Sequence, residues 1–322
     1  MASTAANTAA SADDSEEIEV DVPGFFRIYK DGRLLRFIGT DKLPAVLDPA
    51  TGVDSKDITI DPTTGVSVRL YLPPVSADQK LPVLVYFHGG AFCLESSASP
   101  SYHRHLNSLS ALTPLIGVSV DYRLAPEHPV PAAYEDSWTA LRWVFSLPDP
   151  WLSDHADLNR VFLAGDSAGA NIAHHMALRA REESAAGVII KGVALIHPYF
   201  WGSKPVGSES TDPAVRSTLE KMWQFVCPNS TGPDDPRINP LAVDAPNLAS
   251  LACDQLLVTV AEKDTVKHRG KAYYEKLKQS GWEGKAELVE TPDSVHVFHL
   301  FNPDTDKAKE FIKLLVDFFN KE

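Results

Sequence analysis

The pattern of apolar and polar residues predicts a series of strands. Residues 66–72 alternate between apolar and polar side chains, as in a half-buried strand. Other runs are nearly all apolar, as expected of strands covered on both faces of a sheet. They lie at residues 81–87, 115–120, 161–164 and 189–196. Two more strands are predicted at residues 255–260 and 285–290.

Helical segments alternate with these strands. They are predicted at residues 131–146, 168–183, 214–226, 266–280 and 305–319. The first begins with Pro131, a residue favoured in the first turn of a helix, and the last is amphipathic. Strands that alternate with helices predict an α/β fold with a mostly parallel sheet and helices on both faces.

Two segments fall outside this alternation. Residues 1–20 are rich in Ala, Ser and Thr and then acidic, so we expect a disordered tail before a single domain at 21–322. Residues 199–247 are rich in Pro, Gly, Ser and Asp, and a connection of that length is usually functional. Together with about 21–50, this insertion is expected to form a cap over the sheet.

Composition narrows the class of protein. The 322 residues are 44% hydrophobic, which is enough for a large buried core. With 30 Lys and Arg against 43 Asp and Glu, the formal charge of −13 argues against a nucleic-acid partner. The three cysteines have no metal-ligand spacing, and we expect neither a metal nor another cofactor.

The sequence also bears on location. No apolar run approaches the length of a membrane span. The first twenty residues contain no Lys or Arg and no apolar stretch, unlike a signal or transit peptide. Sparse cysteines suit a reducing compartment, so a cytoplasmic protein is predicted. The oligomeric state is not readable from the sequence.

The most informative motif is Gly-Asp-Ser-Ala-Gly at residues 165–169. It lies between a predicted strand and a predicted helix, which is the context of a nucleophile elbow with Ser167 as the nucleophile. The sharp turn would lift the serine hydroxyl clear of the sheet. The alternative is a turn whose glycines serve packing and whose serine caps the helix.

A nucleophilic serine needs donors for the oxyanion that forms when it attacks a carbonyl. A glycine-rich turn, His88-Gly-Gly-Ala-Phe92, follows the strand predicted at 81–87. Its backbone N–H groups, with the N–H just after the serine, are candidates for this role, whereas His88 is expected to be structural. The candidate donors are Gly89, Gly90, Ala91 and Ala168.

The serine also needs a base and a group that orients the base. Asp264 follows the strand predicted at 255–260, and His296 lies between the last strand and the last helix. In open α/β sheets, sites form at the carboxyl ends of the strands, and both residues follow such an end. Glu262 and His299 are the competing candidates, and Asp264 is alternatively a helix N-cap.

Several aromatic residues are candidates for a substrate pocket, with ordinary core packing as the alternative. The main candidates are Phe26, Trp201, Trp223 and Phe298, and the further candidates are Phe25 and Phe200.

These motifs together resemble the plant carboxylesterases of the hormone-sensitive-lipase-like group of α/β-hydrolases. The resemblance covers residue 25 to the C-terminus and rests on residues 88–92, 121–127, 131–136 and 165–171 with Asp264 and His296. The branch that contains 2-hydroxyisoflavanone dehydratases is especially similar. The stretches that indicate it are 200–205, 235–240 and 278–282.

The resemblance implies an α/β-hydrolase fold with a cap and a catalytic triad. In it Ser167 is the nucleophile, His296 the base and Asp264 its orienter. The sequence departs from the family pattern in two places. Ala91 stands where a third glycine is usual, and Thr265 and His268 replace a proline and a second acid after Asp264. The methyl of Ala91 is expected to narrow the acyl pocket.

The favoured function is a serine carboxylesterase that hydrolyses esters of small aromatic or short-acyl metabolites through an acyl-enzyme. A dehydratase or cyclase of plant specialised metabolism is the alternative, with His296 removing a proton and the oxyanion donors holding an enolate. A non-catalytic hormone receptor is the remote alternative, and the presence of His296 argues against it. Activity is expected to fall as His296 is protonated, near its ordinary pKa of ~6.5.

Overall fold

A computed structural model describes residues 17–321 and contains two β-sheets. Three short antiparallel strands form the first: β1 (Ile18–Val22), β2 (Phe26–Tyr29) and β3 (Leu34–Arg36). Eight strands form the second: β4 (Asp54–Asp61), β5 (Val66–Leu72), β6 (Leu81–Phe87), β7 (Ile116–Asp121), β8 (Ala156–Asp166), β9 (Ile190–Ile196), β10 (Cys253–Ala261) and β11 (Lys285–Thr291).

The larger sheet is mostly parallel. Its strand order is β11-β10-β9-β8-β6-β7-β5-β4, and β6 to β11 all run in the same direction. Only β4 and β5, at one edge, are antiparallel to their neighbours. All seven residues of β6 are buried, which explains its continuous apolar sequence. The predicted parallel α/β sheet is therefore confirmed.

Helices cover both faces of the larger sheet. They are α1 (Pro100–Leu112), α2 (Ala132–Phe145), α3 (Pro150–His155), α4 (Ala168–Glu182), α5 (Pro213–Val226), α6 (Lys267–Gln279), α7 (Phe298–Phe301) and α8 (Asp306–Phe319). Successive side chains of β6 point to opposite faces of the sheet and pack in the hydrophobic core on each face. Val85 belongs to the core that includes residues of α2, α4 and α6, whereas Tyr86 belongs to the core with residues of α1 and α8.

Some elements were not expected from the sequence. The edge strand β4 reads Asp-Ser-Lys-Asp-Ile-Thr-Ile-Asp, so few apolar residues mark it. Helix α1 mixes His, Ser and Arg with its leucines, which hides its apolar face. Strand β8 begins at Ala156, five residues before the predicted start, because its first half is only partly buried.

The N-terminal segment differs from expectation where it is described. Residues 18–20, the end of the expected tail, form part of β1, and Val20 is buried. The rest of that tail, residues 1–16, lies outside the described part of the chain. The expectation of a cytoplasmic location rests on the same residues and stays a prediction. Between residues 17 and 321, no helix combines the length and the hydropathy of a membrane span.

The insertion at 199–247 is anchored to the rest of the chain by ion pairs. The side chains of Glu209 and of Arg269 on α6 are both buried. The Oε1 of Glu209 lies 2.6 Å from the Nε of Arg269. On α5, the Nζ of Lys221 lies 2.8 Å from a carboxylate oxygen of Glu19 in β1. The insertion therefore contacts both the main domain and the N-terminal sheet.

Candidate active site

Ser167 lies at the sharp turn between β8 and α4. Its φ of 54° and ψ of −115° are strained for a residue with a side chain. A Cβ on Gly169 would overlap the carbonyl oxygen of Phe87, and one on Gly165 would overlap the backbone of Gly169. The glycines thus permit close packing of strand and helix. The serine side chain makes no capping hydrogen bond, so the helix-cap alternative does not account for it.

Asp264 and His296 are brought together by the ends of β10 and β11. The Nδ1 of His296 lies 2.6 Å from Oδ2 of Asp264. The other carboxylate oxygen, Oδ1, accepts the N–H of Val266 at 3.1 Å, so Asp264 also orders the start of α6. With Nδ1 donating to the carboxylate, the assigned tautomer leaves Nε2 of His296 free to accept a proton.

The electrostatics of this pair strengthen the imidazole as a base. Desolvation alone would lower the pKa of His296, but the charge and hydrogen bond of Asp264 outweigh it, and the net pKa lies above its ordinary value. Burial would raise the pKa of Asp264, yet the charge of His296 and its hydrogen bond leave it lowered. The side chain of Asp264 is 3% exposed and that of His296 is 36% exposed, so the imidazole stays open to its surroundings.

The alternatives to Asp264 and His296, which were Glu262 and His299, make other contacts. Glu262 accepts the N–H of Asp293 at 2.6 Å with Oε2. His299 is buried against Phe311, with ring centroids 4.6 Å apart. His88 is buried and stacks on the ring of Tyr122 at 4.2 Å, which is the structural role expected of it.

Ser167, Asp264 and His296 line one cavity of about 320 Å³. Within residues 17–321 no hydrogen bond joins the hydroxyl of Ser167 to the imidazole, and catalytic hydrogen bonds are often longer before substrate binds. The rest of the wall is mainly apolar and comes largely from the N-terminal segment, the insertion and the loop after β6. Its members include Val22, Phe25, Phe26, Ile38, Leu94, Tyr199, Leu219 and Met222.

The aromatic pocket expected from the sequence is only partly correct. Phe26, with its neighbour Phe25, lines the cavity, but Trp201, Trp223 and Phe298 do not. Trp201 is buried beneath the guanidinium groups of Arg216 and Arg269. Trp223 packs on Phe92, and Phe298 packs on Phe311. Periodicity does not separate an aromatic residue in a core from one in a pocket wall.

The four candidate oxyanion donors are not equivalent. The N–H of Gly89 donates to the hydroxyl of Tyr102 at 2.8 Å, so this group is already occupied. Gly90 and Ala91 line the cavity with φ of 95° and 52°. Ala168 is buried at the first position of α4, where a backbone N–H has no partner within the helix.

Sequence reasoning missed the residues that surround Asp166. This carboxyl group, inside the serine motif, is buried and accepts hydrogen bonds of 2.9 Å from the hydroxyls of Tyr86 and Tyr102. Burial raises its pKa to about 6, and the two tyrosine hydrogen bonds oppose that rise. The signal in the sequence was an acid placed directly beside the candidate nucleophile in an otherwise apolar turn.

His197 was also missed. It follows β9, and its Nδ1 accepts the N–H of Val297 at 2.9 Å, which holds the backbone just after His296. Ligand atoms of His197, Asp264 and His296 lie within 4.8 Å of one another, a spacing that a metal ion could use. However, the hydrogen bonds of both imidazoles engage their Nδ1 atoms, which fits an oriented base better than a ligand set.

Comparisons with known proteins bear on the fold and the family of the chain. A family model described as the alpha/beta hydrolase fold matches residues 84–300. Probable carboxylesterase 2 of Arabidopsis thaliana is 48% identical over 307 residues, which cover 95% of this chain and 98% of the relative. A 2-hydroxyisoflavanone dehydratase of Glycyrrhiza echinata is 46% identical over 317 residues, which cover 94% of this chain and 97% of the relative.

A similar solved structure is that of an esterase from Pyrobaculum calidifontis. It superposes with a TM-score of 0.69 at 30% identity, covering 82% of this chain and 84% of that one. The family match spans the serine turn, the acid and the histidine. The chain therefore belongs to the α/β-hydrolase family, and its similarity to plant carboxylesterases and 2-hydroxyisoflavanone dehydratases is confirmed.

Proposed function

We propose that this carboxylic ester hydrolase is a serine carboxylesterase that works through an acyl-enzyme. The observation that carries the proposal is the 2.6 Å contact between His296 and Asp264 on the wall of the cavity that Ser167 also lines. A hydroxyl, an oriented base and its carboxylate at one cavity are the parts that acyl transfer needs.

In the first half of the reaction, Oγ of Ser167 attacks the ester carbonyl carbon while its proton passes to Nε2 of His296. The negative charge that develops on the carbonyl oxygen is stabilised by backbone N–H groups of Gly90, Ala91 and Ala168. His296 then gives the proton to the departing alcohol oxygen as the ester bond breaks. The acyl group is left on Ser167.

In the second half, water attacks the acyl carbon and gives its proton to His296. The bond to Oγ breaks, Ser167 recovers the proton from His296, and the carboxylic acid leaves. Asp264 stays ionised throughout and stabilises the imidazolium that forms twice. Its lowered pKa suits that role, although burial opposes it.

The cavity favours small esters with an apolar portion. Its volume of about 320 Å³ holds a ligand of modest size, and aromatic and aliphatic side chains form most of the wall. Phe25, Phe26, Leu219 and Met222 offer surface to a ring or a short acyl chain. We therefore propose aromatic or short-acyl esters as the substrate class.

The test compares Ser167→Ala with the native chain on p-nitrophenyl esters of increasing acyl length. We expect the variant to lose at least about a thousandfold in kcat/KM and to resist labelling by a reactive organophosphate. The matched control is Ser146→Ala, which removes an exposed serine. We expect this variant to hydrolyse the esters at the native rate. Normal hydrolysis by Ser167→Ala would rule the proposal out.

A second candidate is a lyase that removes water from a hydroxyflavanone. It is favoured by the 46% identity with the Glycyrrhiza echinata dehydratase. In this case His296 would take a proton next to the carbonyl, and the oxyanion donors would hold the enolate until hydroxide leaves. Incubation with 2-hydroxyisoflavanone, followed by chromatography for the dehydrated product, separates the two candidates. In that assay a lyase stays active when Ser167 is alanine.

A further inference from the structure

A second cavity, of about 480 Å³, lies between α1 and α8 on the face of the sheet that carries these two helices. Arg104, His105 and Ser108 line it from α1, and Lys309 and Lys313 line it from α8. The spacing of these residues places each set on one face of its helix. We call this cavity the α1–α8 groove.

Two buried imidazoles border the groove without hydrogen-bond partners. His105 is 5% exposed and His299 is 2% exposed, and both belong to the groove lining. Among the described residues, Nε2 of His105 and both ring nitrogens of His299 find no partner. Buried polar groups normally have one. These nitrogens are themselves shielded, so the two rings form the floor of the groove and add no positive charge to it unless they are protonated.

The charge of the groove is opposite to that of the protein. Its lining has three cations, Arg104, Lys309 and Lys313, against one acid, Asp304, in a chain whose formal charge is −13. Arg104 lies 3.6 Å from Asp304, so that pair is already balanced. The two lysines form no ion pair with any described residue, which leaves two positive charges for an occupant.

Apolar side chains complete the groove. Leu112 is 60% exposed at the end of α1, and Ile312 and Val316 follow the lysine face of α8. An occupant that suits the groove therefore has an apolar body as well as a negative group. The two halves would meet different parts of the lining.

We propose that the α1–α8 groove binds a small organic anion with an apolar body, distinct from the ester taken by the catalytic cavity. Its carboxylate or sulfonate meets Lys309 and Lys313, and its apolar part covers Leu112 and Val316.

The groove adjoins the catalytic cavity without being part of it. Ser101 and Leu300 line both cavities, and α7 begins two residues after His296. An anion in the groove thus contacts the outer side of residues that a substrate contacts from within. The proposal does not depend on the chemistry of Ser167, so binding can be tested whatever the reaction is.

The probe for the test is 8-anilinonaphthalene-1-sulfonate, whose fluorescence reports binding to the native chain. We expect one saturable site that Lys309→Gln/Lys313→Gln weakens about tenfold and that Ser108→Trp, which fills the groove, abolishes. The uncharged N-phenyl-1-naphthylamine is expected to bind less tightly to the native chain. Circular dichroism checks that each variant is folded. If Ser108→Trp does not fold, the result for the double variant Lys309→Gln/Lys313→Gln decides the test.

Two matched controls locate the probe. Leu219→Trp fills the catalytic cavity, and Lys278→Gln/Lys285→Gln removes two lysines outside the groove. Both are expected to bind the sulfonate like the native chain. Loss of binding in Leu219→Trp with no effect of the groove variants would put the probe in the catalytic cavity and overturn the proposal. A change of mass in solution for Ser108→Trp would assign the groove to a contact between two chains and also overturn it.

Discussion

The hydroxyl of Tyr102 donates a 2.9 Å hydrogen bond to Oδ2 of Asp166. The hydroxyl oxygen of Tyr102 also accepts the N–H of Gly89, so one phenol joins the glycine-rich loop to the turn that carries the candidate nucleophile. The loop and the turn come from the ends of β6 and β8. Their relative position therefore depends on a residue of α1, outside both motifs.

Replacing Tyr102 with phenylalanine is expected to lower the free energy of unfolding by about 1–3 kcal/mol, because a buried carboxyl group and a buried N–H lose a partner. The pKa of Asp166 should rise further above about 6, since this hydrogen bond holds it down. The rate should fall as Gly90, next to Gly89, loses its fixed position. Urea unfolding and initial rates at pH 7 check this, with Tyr274→Phe as the control that changes neither.

The rate should depend on the protonation of His296. Since Asp264 holds the pKa of His296 above 6.5 against the opposing effect of burial, activity is expected to fall as the pH drops through a value above 6.5. Asp264→Asn removes that charge, so the acid limb of kcat/KM moves to lower pH while kcat falls at least about a hundredfold. An acid limb that stays in place in the variant would contradict the assignment of the base.

The same pair also affects stability. Because the folded state raises the pKa of His296, the imidazolium form is favoured by folding. This contribution to the free energy of unfolding is fully present below the unfolded pKa of ~6.5 and disappears as the pH rises through the folded value. Urea unfolding of the native chain and His296→Gln across this range measures it, and the difference between the two should shrink with rising pH.

Ala91 has a backbone conformation that suits glycine better than alanine. With φ at 52°, its methyl group is accommodated at a cost, and it lines the catalytic cavity. Ala91→Gly is expected to change the free energy of unfolding by less than about 1 kcal/mol, because relief of strain is offset by a more flexible unfolded chain. Removing the methyl should raise kcat/KM for branched acyl esters relative to acetate. A p-nitrophenyl ester series measures this ratio, and an unchanged ratio would show that the methyl does not limit the acyl group.

The buried pair of Glu209 and Arg269 should hold the insertion in place. Glu209→Gln leaves the guanidinium without a countercharge, which is expected to cost about 3 kcal/mol of stability. KM for esters should rise because Leu219 and Met222 belong to the same insertion and line the cavity. The control is Glu220→Gln, whose partly exposed ion pair is worth ~0.5 kcal/mol or less. Equal effects of the two variants on KM would contradict the anchoring role.

Much of the fold was accessible from the sequence because buried parallel strands have continuous apolar runs. The same was true of Ser167, Asp264 and His296, which were named as candidates because each follows a strand at one edge of the sheet. The N-terminal sheet was not foreseen, because its short strands are stabilised by contacts with distant residues, such as Lys221 with Glu19. Periodicity carries no information on such contacts.

The details of the site depended on three-dimensional packing. Gly89 was expected to be an oxyanion donor, and its N–H is instead used by Tyr102, a residue 13 positions away. Trp201 was expected in the pocket, and it lies beneath two arginines. Which of two neighbouring groups faces a cavity is decided by partners that local sequence does not reveal.

The proposed reacting groups stand at the ends of β8, β10 and β11, whereas part of the apolar wall of the cavity comes from Val22 in β1, Phe26 in β2, and Leu219 and Met222 in α5. We therefore expect selectivity to depend in part on stretches of the sequence that are separate from those that carry the chemistry. A mutational library confined to Ile38, Leu219 and Met222 can retarget the enzyme to new acyl groups without disturbing proton transfer.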